Sequence, residues 1–466
     1  MSTFSAVVTT GIYCRPGCGG RPRPEHVREY ALAAAAEADG YRACLRCRPY
    51  RTEPVASLAA PELVCRAVQL VLGGALDGGS EHDLGARLAT SARHLRRLFG
   101  EHLGVTPDEL ARSRRAHFAR RLLDDTDLAI TDVAFASGYG SVRQLNRACR
   151  EVFRAAPGEL RARRRSGDRL VADGGLALRL PFQPPLDWSA MLGYFRARAI
   201  GGVESVTGGV YRRTVVIDGD PGVLEVAPGG PDHLVLRAHL PHWEGLIHLV
   251  QRARRIFALD ADVESASRHL DADPIAGPLV RARPGLRPPG TWDPFETGVR
   301  AIVSQQVSVA AAGTLTARIA ARHGTPVPGL QALGLTHVFP SPEALAEADL
   351  NGLGLTASRA AAIGTFARAV ADGAVRLDRG SRLDDLVESI AAVPGLGPWT
   401  AQYLALRLGE PDAFPASDLG IRRSLGTVLG RPIGERAAAA LAEGWRPWRA
   451  HAAIYLWLTP APGRLF

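Results

Sequence analysis

Two close pairs of cysteines stand near the start of the chain. Three residues separate Cys14 from Cys18, two separate Cys44 from Cys47, and 25 lie between the pairs. Four thiols at such spacings fit one tetrahedral Zn2+. The plain role of such a site is to staple a small domain that lacks a core of its own. A chemical role is also open, because zinc keeps sulfur deprotonated at neutral pH and the thiolate is the nucleophile. A second group lies near the other end. Val393-Pro394-Gly395-Leu396-Gly397, set between two helical patterns, is a tight hairpin that bares backbone N–H groups at a helix N-terminus. That arrangement binds phosphate without a side-chain charge. Beyond it, after Ala413-Phe414-Pro415-Ala416-Ser417, comes Asp418, placed to act on whatever carries that phosphate. Asp418 equally fits a helix N-cap ahead of Leu419-Gly420-Ile421, as does Ser417.

The block from Leu383 to Asp418 resembles the helix–hairpin–helix DNA glycosylases, and Pro394-Gly395-Leu396-Gly397 carries the likeness. The resemblance implies that Gly395 and Gly397 grip the DNA backbone and that Asp418 drives cleavage of the base–sugar bond. It also implies a monovalent cation at the hairpin. Lyase-type members attack the sugar with a lysine amine. The position of that lysine is Trp399 here, and all 56 basic residues of the chain are arginine. Arginine stays charged and cannot serve as the amine. The enzyme expected is therefore monofunctional, a hydrolase that removes the base and leaves the strand intact.

The cysteines sit in Thr9-Thr10-Gly11-Ile12-Tyr13-Cys14-Arg15-Pro16-Gly17-Cys18 and Gly40-Tyr41-Arg42-Ala43-Cys44-Leu45-Arg46-Cys47-Arg48-Pro49. Both segments resemble the N-terminal zinc domain of Ada-type proteins, which sense methylated DNA. By that resemblance Cys14 accepts a methyl group from a backbone methyl phosphotriester, and Cys14, Cys18, Cys44 and Cys47 hold the metal. Four thiolates on one Zn2+ carry two net negative charges, and methylation leaves one, so the event itself would favour DNA binding. Ada-type domains have a strand and a helix ahead of the Thr-Thr-Gly segment. Here few residues precede it, and an N-terminally short domain over 1–53 is expected.

These groups need elements to position them. The length, 466 residues, suggests several domains. Net charge is +9, and it is lopsided: residues 1–170 hold 27 arginines against 19 acids, the remainder 29 against 28. A basic front part suits a phosphate-binding module. Residues 58–165 alternate helical patterns with short turns, and two stretches look like helix-turn-helix units: Asp83 to Phe99, and Ile130 to Arg147. Gly138 suits a left-handed corner in the second. With Val152-Phe153-Arg154-Ala155-Ala156-Pro157-Gly158-Glu159-Leu160 behind them, they resemble the AraC-type DNA-binding domain. Arg93, Arg96, Arg143, Gln144 and Arg147 are the candidates for groove contact; each also fits a solvated helix face. Arg161, Arg163, Arg164 and Arg165, before Ser166-Gly167-Asp168, form a basic run expected to be a linker that touches phosphate.

After Gly175 the pattern turns to strands, at Ala177–Leu180, Gly209–Ile217 and His233–Ala238, with a helix over Trp188–Ala199. The phrase Pro181-Phe182-Gln183-Pro184-Pro185-Leu186-Asp187-Trp188-Ser189-Ala190-Met191-Leu192-Gly193-Tyr194 closely resembles the N-terminal domain of AlkA-type 3-methyladenine DNA glycosylases. From Trp292 the chain is helical, and Phe295 to Ser308, Trp445 to Arg449 and Ile454 to Trp457 share that resemblance. It implies that Tyr194, Trp399, Tyr403 and Trp457 line a base pocket. Alkylated purines are cationic, and electron-rich rings attract a flat cation. Trp457 also fits an apolar helix face with Ile454 and Leu458. Gln306 falls where relatives wedge a side chain into the gap left by a flipped base.

The expected fold is multidomain α+β: a zinc domain (1–53), an all-α double helix-turn-helix domain (58–165), an antiparallel α+β domain (176–285) and an all-α helix–hairpin–helix domain (286–466). The expected partners are double-stranded DNA with alkylation damage, promoter DNA and RNA polymerase, with no organic cofactor and the protein a monomer. No segment is apolar enough to span a membrane, and Met1 to Thr10 has no signal-peptide character. A cytoplasmic, nucleoid-associated bacterial protein with reduced cysteines follows. Two other readings stand beside this one: a regulator whose glycosylase-like half is catalytically silent, and an enzyme whose head only adds affinity. No Pro-Cys-His-Arg motif is present, so repair of O6-methylguanine is not expected.

Overall fold

The structure, a computed structural model, describes residues 4–20, 22–51, 60–165, 167–172 and 174–458. The expected boundary at residues 53–58 and Ser166 in the basic run lie outside them. The chain forms two compact units, Met1–Phe182 with His233–Gln251, and Gln183–Asp232 with Arg252–Phe466.

The first unit opens with strands β1 (Phe4–Val7), β2 (Ile12–Cys14) and β3 (Val27–Tyr30), helix α1 (Ala33–Ala38) and strand β4 (Arg42–Ala43). They make a sheet of order β3-β1-β2-β4, with β2 and β4 parallel. The few residues ahead of Thr9 thus supply an inner strand, with Ser5 opposite Cys14. Helices α2 (Glu62–Leu72), α3 (Glu81–Arg87), α4 (Ala92–Leu103), α5 (Pro107–Asp125), α6 (Ile130–Ala136), α7 (Val142–Phe153) and α8 (Pro157–Ala162) follow. α3–α4 and α6–α7 are the two helix-turn-helix units.

The two second helices are built alike. Ser91 caps α4 by accepting from His94 N, and Ser141 caps α7 by accepting from Gln144 N, each at 3.2 Å. Leu95 and Phe99 are the buried residues of α4; Leu145, Cys149 and Phe153 are those of α7. Spacings of four put them on one stripe and leave the rest of each helix outside. Burying each large one contributes about 2 kcal/mol. Gly138 takes the left-handed corner at φ +78°. Between the units α5 runs through the interior, so that even Arg120 and Asp124 are fully buried. Such charges must pair, and they do: Arg120 meets Asp124 at 2.9 Å one turn on.

The basic run at the end of α8 is not a free arm. Arg161 donates to the Leu128 carbonyl at 2.6 Å, Arg164 pairs with Asp127 at 2.7 Å, and Arg165 reaches the Arg46 carbonyl at 3.2 Å. The segment beyond is pinned as well, with Leu170 N donating to Asp125 O at 2.9 Å. Unpaired Asp125 and Thr126 ends of α5 would otherwise be buried, which is why a run that looks like a linker is drawn inward. Strand β5 (Leu176–Pro181) ends this stretch of the unit.

The second unit begins with α9 (Trp188–Arg198) and a meander of β6 (Glu204–Thr207), β7 (Val210–Ile217) and β8 (Asp220–Gly230), paired antiparallel. β6 and β8 were not foreseen; their residues are too mixed to alternate cleanly. Strand β9 (His233–His239) returns to the first unit and pairs antiparallel with β5. After α10 (Leu246–Ile256) the chain is mainly helical: α11 (Val263–Asp271), α12 (Ala276–Ala282), α13 (Pro294–Ser304), α14 (Val309–His323), α15 (Pro342–Ala346), α16 (Ala357–Ala371), α17 (Leu383–Ala391), α18 (Pro398–Leu408), α19 (Leu419–Leu429), α20 (Glu435–Ala442) and α21 (Arg449–Leu458). Among the described residues no helix is long and apolar enough to cross a membrane.

Candidate active site and metal centre

The hairpin joins α17 to α18. Gly395 stands at φ +90°, and a Cβ there would come within 2.5 Å of the Ala362 Cβ. Only glycine satisfies both the left-handed backbone and the close approach. Gly397 is the N-cap of α18 and Pro398 its first residue, so the first-turn N–H groups lack intrahelical partners and are available to an anion. The Gly395 carbonyl accepts from Gln305 Nε2 at 3.2 Å, tying the hairpin to the end of α13.

Helix α18 carries Trp399 and Tyr403 one turn apart. Their rings stack with centroids 5.4 Å apart and planes at 10°. Trp457, from α21, meets Tyr403 edge-on at 6.1 Å. Both indoles point at Asp418. Trp399 Nε1 donates to one carboxylate oxygen at 3.0 Å, and Trp457 Nε1 donates to the other at 3.0 Å. Asp418 is also the N-cap of α19, accepting from Ile421 N at 2.9 Å. The two roles weighed for it in sequence are thus held together. The carboxylate is half-buried and fixed by three donors. Gly420 makes this possible, since a Cβ there would meet Asp418 Oδ1 at 3.0 Å and the Trp457 ring at 3.4 Å.

Behind the rings lies Arg407, which sequence reasoning missed. It is 5% exposed and donates to four oxygens: Tyr403 at 2.8 Å, Tyr194 at 3.0 Å, and the carbonyls of Pro289 at 2.8 Å and Gly290 at 2.7 Å. The signal was present, a lone cation inside the apolar run Leu404-Ala405-Leu406-Arg407-Leu408. Tyr194, from α9, is itself buried at 3% exposure, with its hydroxyl 3.4 Å from that of Tyr403. It therefore backs the half-buried rings of Trp399, Tyr403 and Trp457. Gln306 sits apart from this cluster on the loop from α13 to α14. It is exposed and left-handed at φ +56°, a conformation that costs a non-glycine residue about 1 kcal/mol.

In the first unit the thiol sulfurs of Cys14, Cys18, Cys44 and Cys47 all lie within 4.8 Å of one another. Tetrahedral zinc, with bonds of about 2.3 Å, needs sulfurs that close. The four thiols also shift one another's protons. Burial first, and the neighbouring Cys47, push the Cys14 thiol far up, and burial pushes Cys47 up to about 12, while Cys44 is held below its ordinary value: burial opposes this, but the N–H groups of Cys47 and Arg46 outweigh it. The cluster is half-buried, and the strand carrying Cys14 also carries buried Tyr13, whose hydroxyl donates to Glu37 at 2.5 Å. Glu37 in turn meets His117 Nε2 of α5 at 2.6 Å.

Arg93 and Arg96 on α4, and Arg143, Gln144 and Arg147 on α7, are all exposed. Arg96 is paired with Glu81, and Arg147 lies 4.0 Å from Glu151. Gln144 Oε1 accepts from Gly140 N at 3.0 Å.

Comparison with known proteins covers the chain in four pieces. The metal binding domain of Ada matches residues 2–50, a helix-turn-helix domain 84–163, the AlkA N-terminal domain 177–293, and the HhH-GPD superfamily of base excision DNA repair proteins 299–449. The DNA-3-methyladenine glycosylase 2 of Escherichia coli is 35% identical over 288 residues, 60% of this chain and 96% of its own. The 3-methyladenine DNA glycosylase of Archaeoglobus fulgidus shares the fold, with a TM-score of 0.53 at 24% identity over 60% of this chain and 97% of its own. A Mycobacterium tuberculosis protein named "Probable bifunctional transcriptional activator/DNA repair enzyme AlkA" is 40% identical over 464 residues, 97% of this chain and 92% of its own. With identity of that degree running through all four regions, the chain belongs to the family of bifunctional transcriptional activator and DNA repair enzymes of the AlkA type.

Proposed function

We propose that the second unit hydrolyses the N-glycosidic bond of alkylated purines, of the 3-methyladenine type, in double-stranded DNA, and that the first unit senses methyl phosphotriesters and regulates transcription. The observation that carries the enzymatic half is the pair of indole N–H bonds that fix both oxygens of Asp418 beside stacked aromatic rings. Cleaving the bond builds positive charge on the sugar, and a fixed carboxylate stabilises it and orients the attacking water. A cationic base, flipped from the stack, is held by Trp399, Tyr403 and Trp457, with Tyr194 behind. Gly395 and Gly397 bind the adjoining phosphate, with a monovalent cation at the remaining hairpin carbonyls. Gln306 fills the space that the base leaves; its exposure and left-handed backbone suit a side chain presented outward. With Trp399 at the lyase position and no lysine in the chain, the reaction stops at base removal.

In the first unit Cys14, Cys18, Cys44 and Cys47 would hold Zn2+, which keeps the sulfurs as thiolates at neutral pH. Cys14 Sγ attacks the methyl carbon of the phosphotriester; the S–C bond forms, the C–O bond breaks, and its electron pair stays on the phosphate. The head loses one negative charge and binds DNA more tightly. Arg93, Arg96, Arg143, Gln144 and Arg147 then face promoter DNA, and RNA polymerase is the further partner of a nucleoid-associated monomer. The test is base release from methylated DNA by wild type and Asp418→Asn. Loss of release in the variant is expected; equal release would leave a regulator with a silent second half. Mass spectrometry after exposure to methylated DNA should find one methyl group on Cys14, and a head that stays unmethylated would be a stapled binding module only.

A further inference from the structure

We propose that Arg359 is a positioning residue for strand opening: it holds the peptide between Gln305 and Gln306 so that the Gln306 side chain enters the duplex in fixed register with the phosphate-binding hairpin. This rests on the reading above, in which Gln306 fills the space of the lost base. Gln305 to Ser308 turn the chain between α13 and α14. Gln306 is the left-handed residue of that turn, at φ +56°. A non-glycine residue keeps such a conformation only where its surroundings hold it. Here both ends of Gln305 are held. Its side-chain Nε2 donates to the Gly395 carbonyl at 3.2 Å and to Thr400 Oγ1 at 3.3 Å. Its carbonyl, part of the peptide that leads into Gln306, accepts from the guanidinium of Arg359.

Arg359 stands where helix stability alone disfavours it. Thr356 caps α16 by accepting from Arg359 N at 3.3 Å, so the arginine lies in the first turn, at the positive end of the helix. A cation there opposes the macrodipole. Three residues on, Ala362 is the surface on which Gly395 packs, too close for any Cβ between them. Residues three apart share a helix face. One face of α16 thus sets two things, the hairpin through Ala362 and the loop that presents Gln306 through Arg359. Thr400, 1% exposed, completes the frame from α18, beside Trp399 and its bond to Asp418. The half-buried Arg359 therefore fixes the distance between the phosphate that the hairpin grips and the gap that Gln306 enters. It acts through the loop and not on the base.

The experiment uses the full chain with zinc and a duplex carrying one N7-methylguanine, with 2-aminopurine as the neighbouring base. Single-turnover base release is measured for wild type, Arg359→Ala, Gln306→Ala and the double variant. Each single variant is expected to slow release about ten-fold, the scale of one hydrogen bond from a charged donor. The double variant should be no slower than either, because the two residues serve one step. The 2-aminopurine fluorescence should rise on binding wild type and rise less with either variant. Losses that multiply in the double variant, or either single variant releasing base at the wild-type rate, overturn the proposal. So does a uniform loss of affinity for undamaged duplex with a salt slope smaller by about one, which marks a plain phosphate contact. If Arg359→Ala does not fold, Arg359→Gln, whose side chain ends short of the Gln305 carbonyl, takes its place. Failure of the glycosylase reading looks different: wild type releases no base, while the fluorescence rise and its dependence on Arg359 remain.

Discussion

Trp457 donates its indole N–H to Oδ1 of Asp418 at 3.0 Å, from a helix whose face also buries Ile454. The ring that looked equally suited to core packing therefore has a polar duty. Trp457→Phe keeps the apolar face and removes the donor. One oriented donor to a carboxylate contributes about 2 kcal/mol, so base release should fall roughly 30-fold. Single-turnover kinetics will measure it; an unchanged rate would show that Trp399 and Ile421 N suffice.

Asp418 substitutions separate chemistry from folding. Asn can still cap α19, so Asp418→Asn should lose base release while melting near wild type. Asp418→Ala removes the cap as well and should cost about 1 kcal/mol more. Thermal melts beside the activity assay distinguish the two.

At the hairpin, Gly395→Ala meets two penalties, the left-handed φ of +90° and the Ala362 Cβ at 2.5 Å. A loss of about 2 kcal/mol or more is expected, together with weakened binding of DNA by the second unit. If denaturant melts of the variant match wild type, the hairpin has another way to turn.

The zinc head and α5 share a buried ionic seam. Arg48, directly after Cys47, pairs with Asp168 at 2.6 Å, and Tyr50 donates to Asp124 at 2.8 Å. Removing Arg48 takes away the nearest cation of Asp168, which keeps Arg51 at 3.5 Å and the Arg165 N–H, and Arg48→Met should destabilise the first unit by about 2 kcal/mol. The seam also predicts a pH response. Asp168 is held below the usual carboxylate range: burial opposes this, but Arg48 and the Arg165 N–H outweigh it. An acid with a depressed folded pKa contributes stability above its unfolded value, and that stability is lost as pH falls through the folded one. Melts below about pH 4 should therefore drop more steeply for wild type than for Asp168→Asn. Chelating the zinc should loosen the same seam, read as lower protection of α5 amides from hydrogen exchange.

In the helix-turn-helix units, Arg143 is the test case. Arg143→Ala should cost about 1–3 kcal/mol if it reads a base edge, with altered sequence preference, or lower affinity uniformly and reduce the salt slope if it touches phosphate. Binding measured over several salt concentrations decides which.

The sequence alone determined what rests on local spacing. The cysteine pairs, the Pro-Gly-x-Gly turn, the two helix-turn-helix stretches and the acid before α19 are each written within a few residues, because capping, turn geometry and metal-ligand spacing are short-range. The absence of lysine needed no structure at all. Tertiary structure decided what depends on packing between distant segments. Tyr194 and Arg407 are 213 positions apart, and His117 and Glu37 are 80 apart; no periodicity links them. The same holds for the basic run at the end of α8, which composition marks as a linker touching phosphate. The buried end of α5 draws it inward, because unpaired carboxylates and carbonyls in an interior cost more than ordering a few arginines.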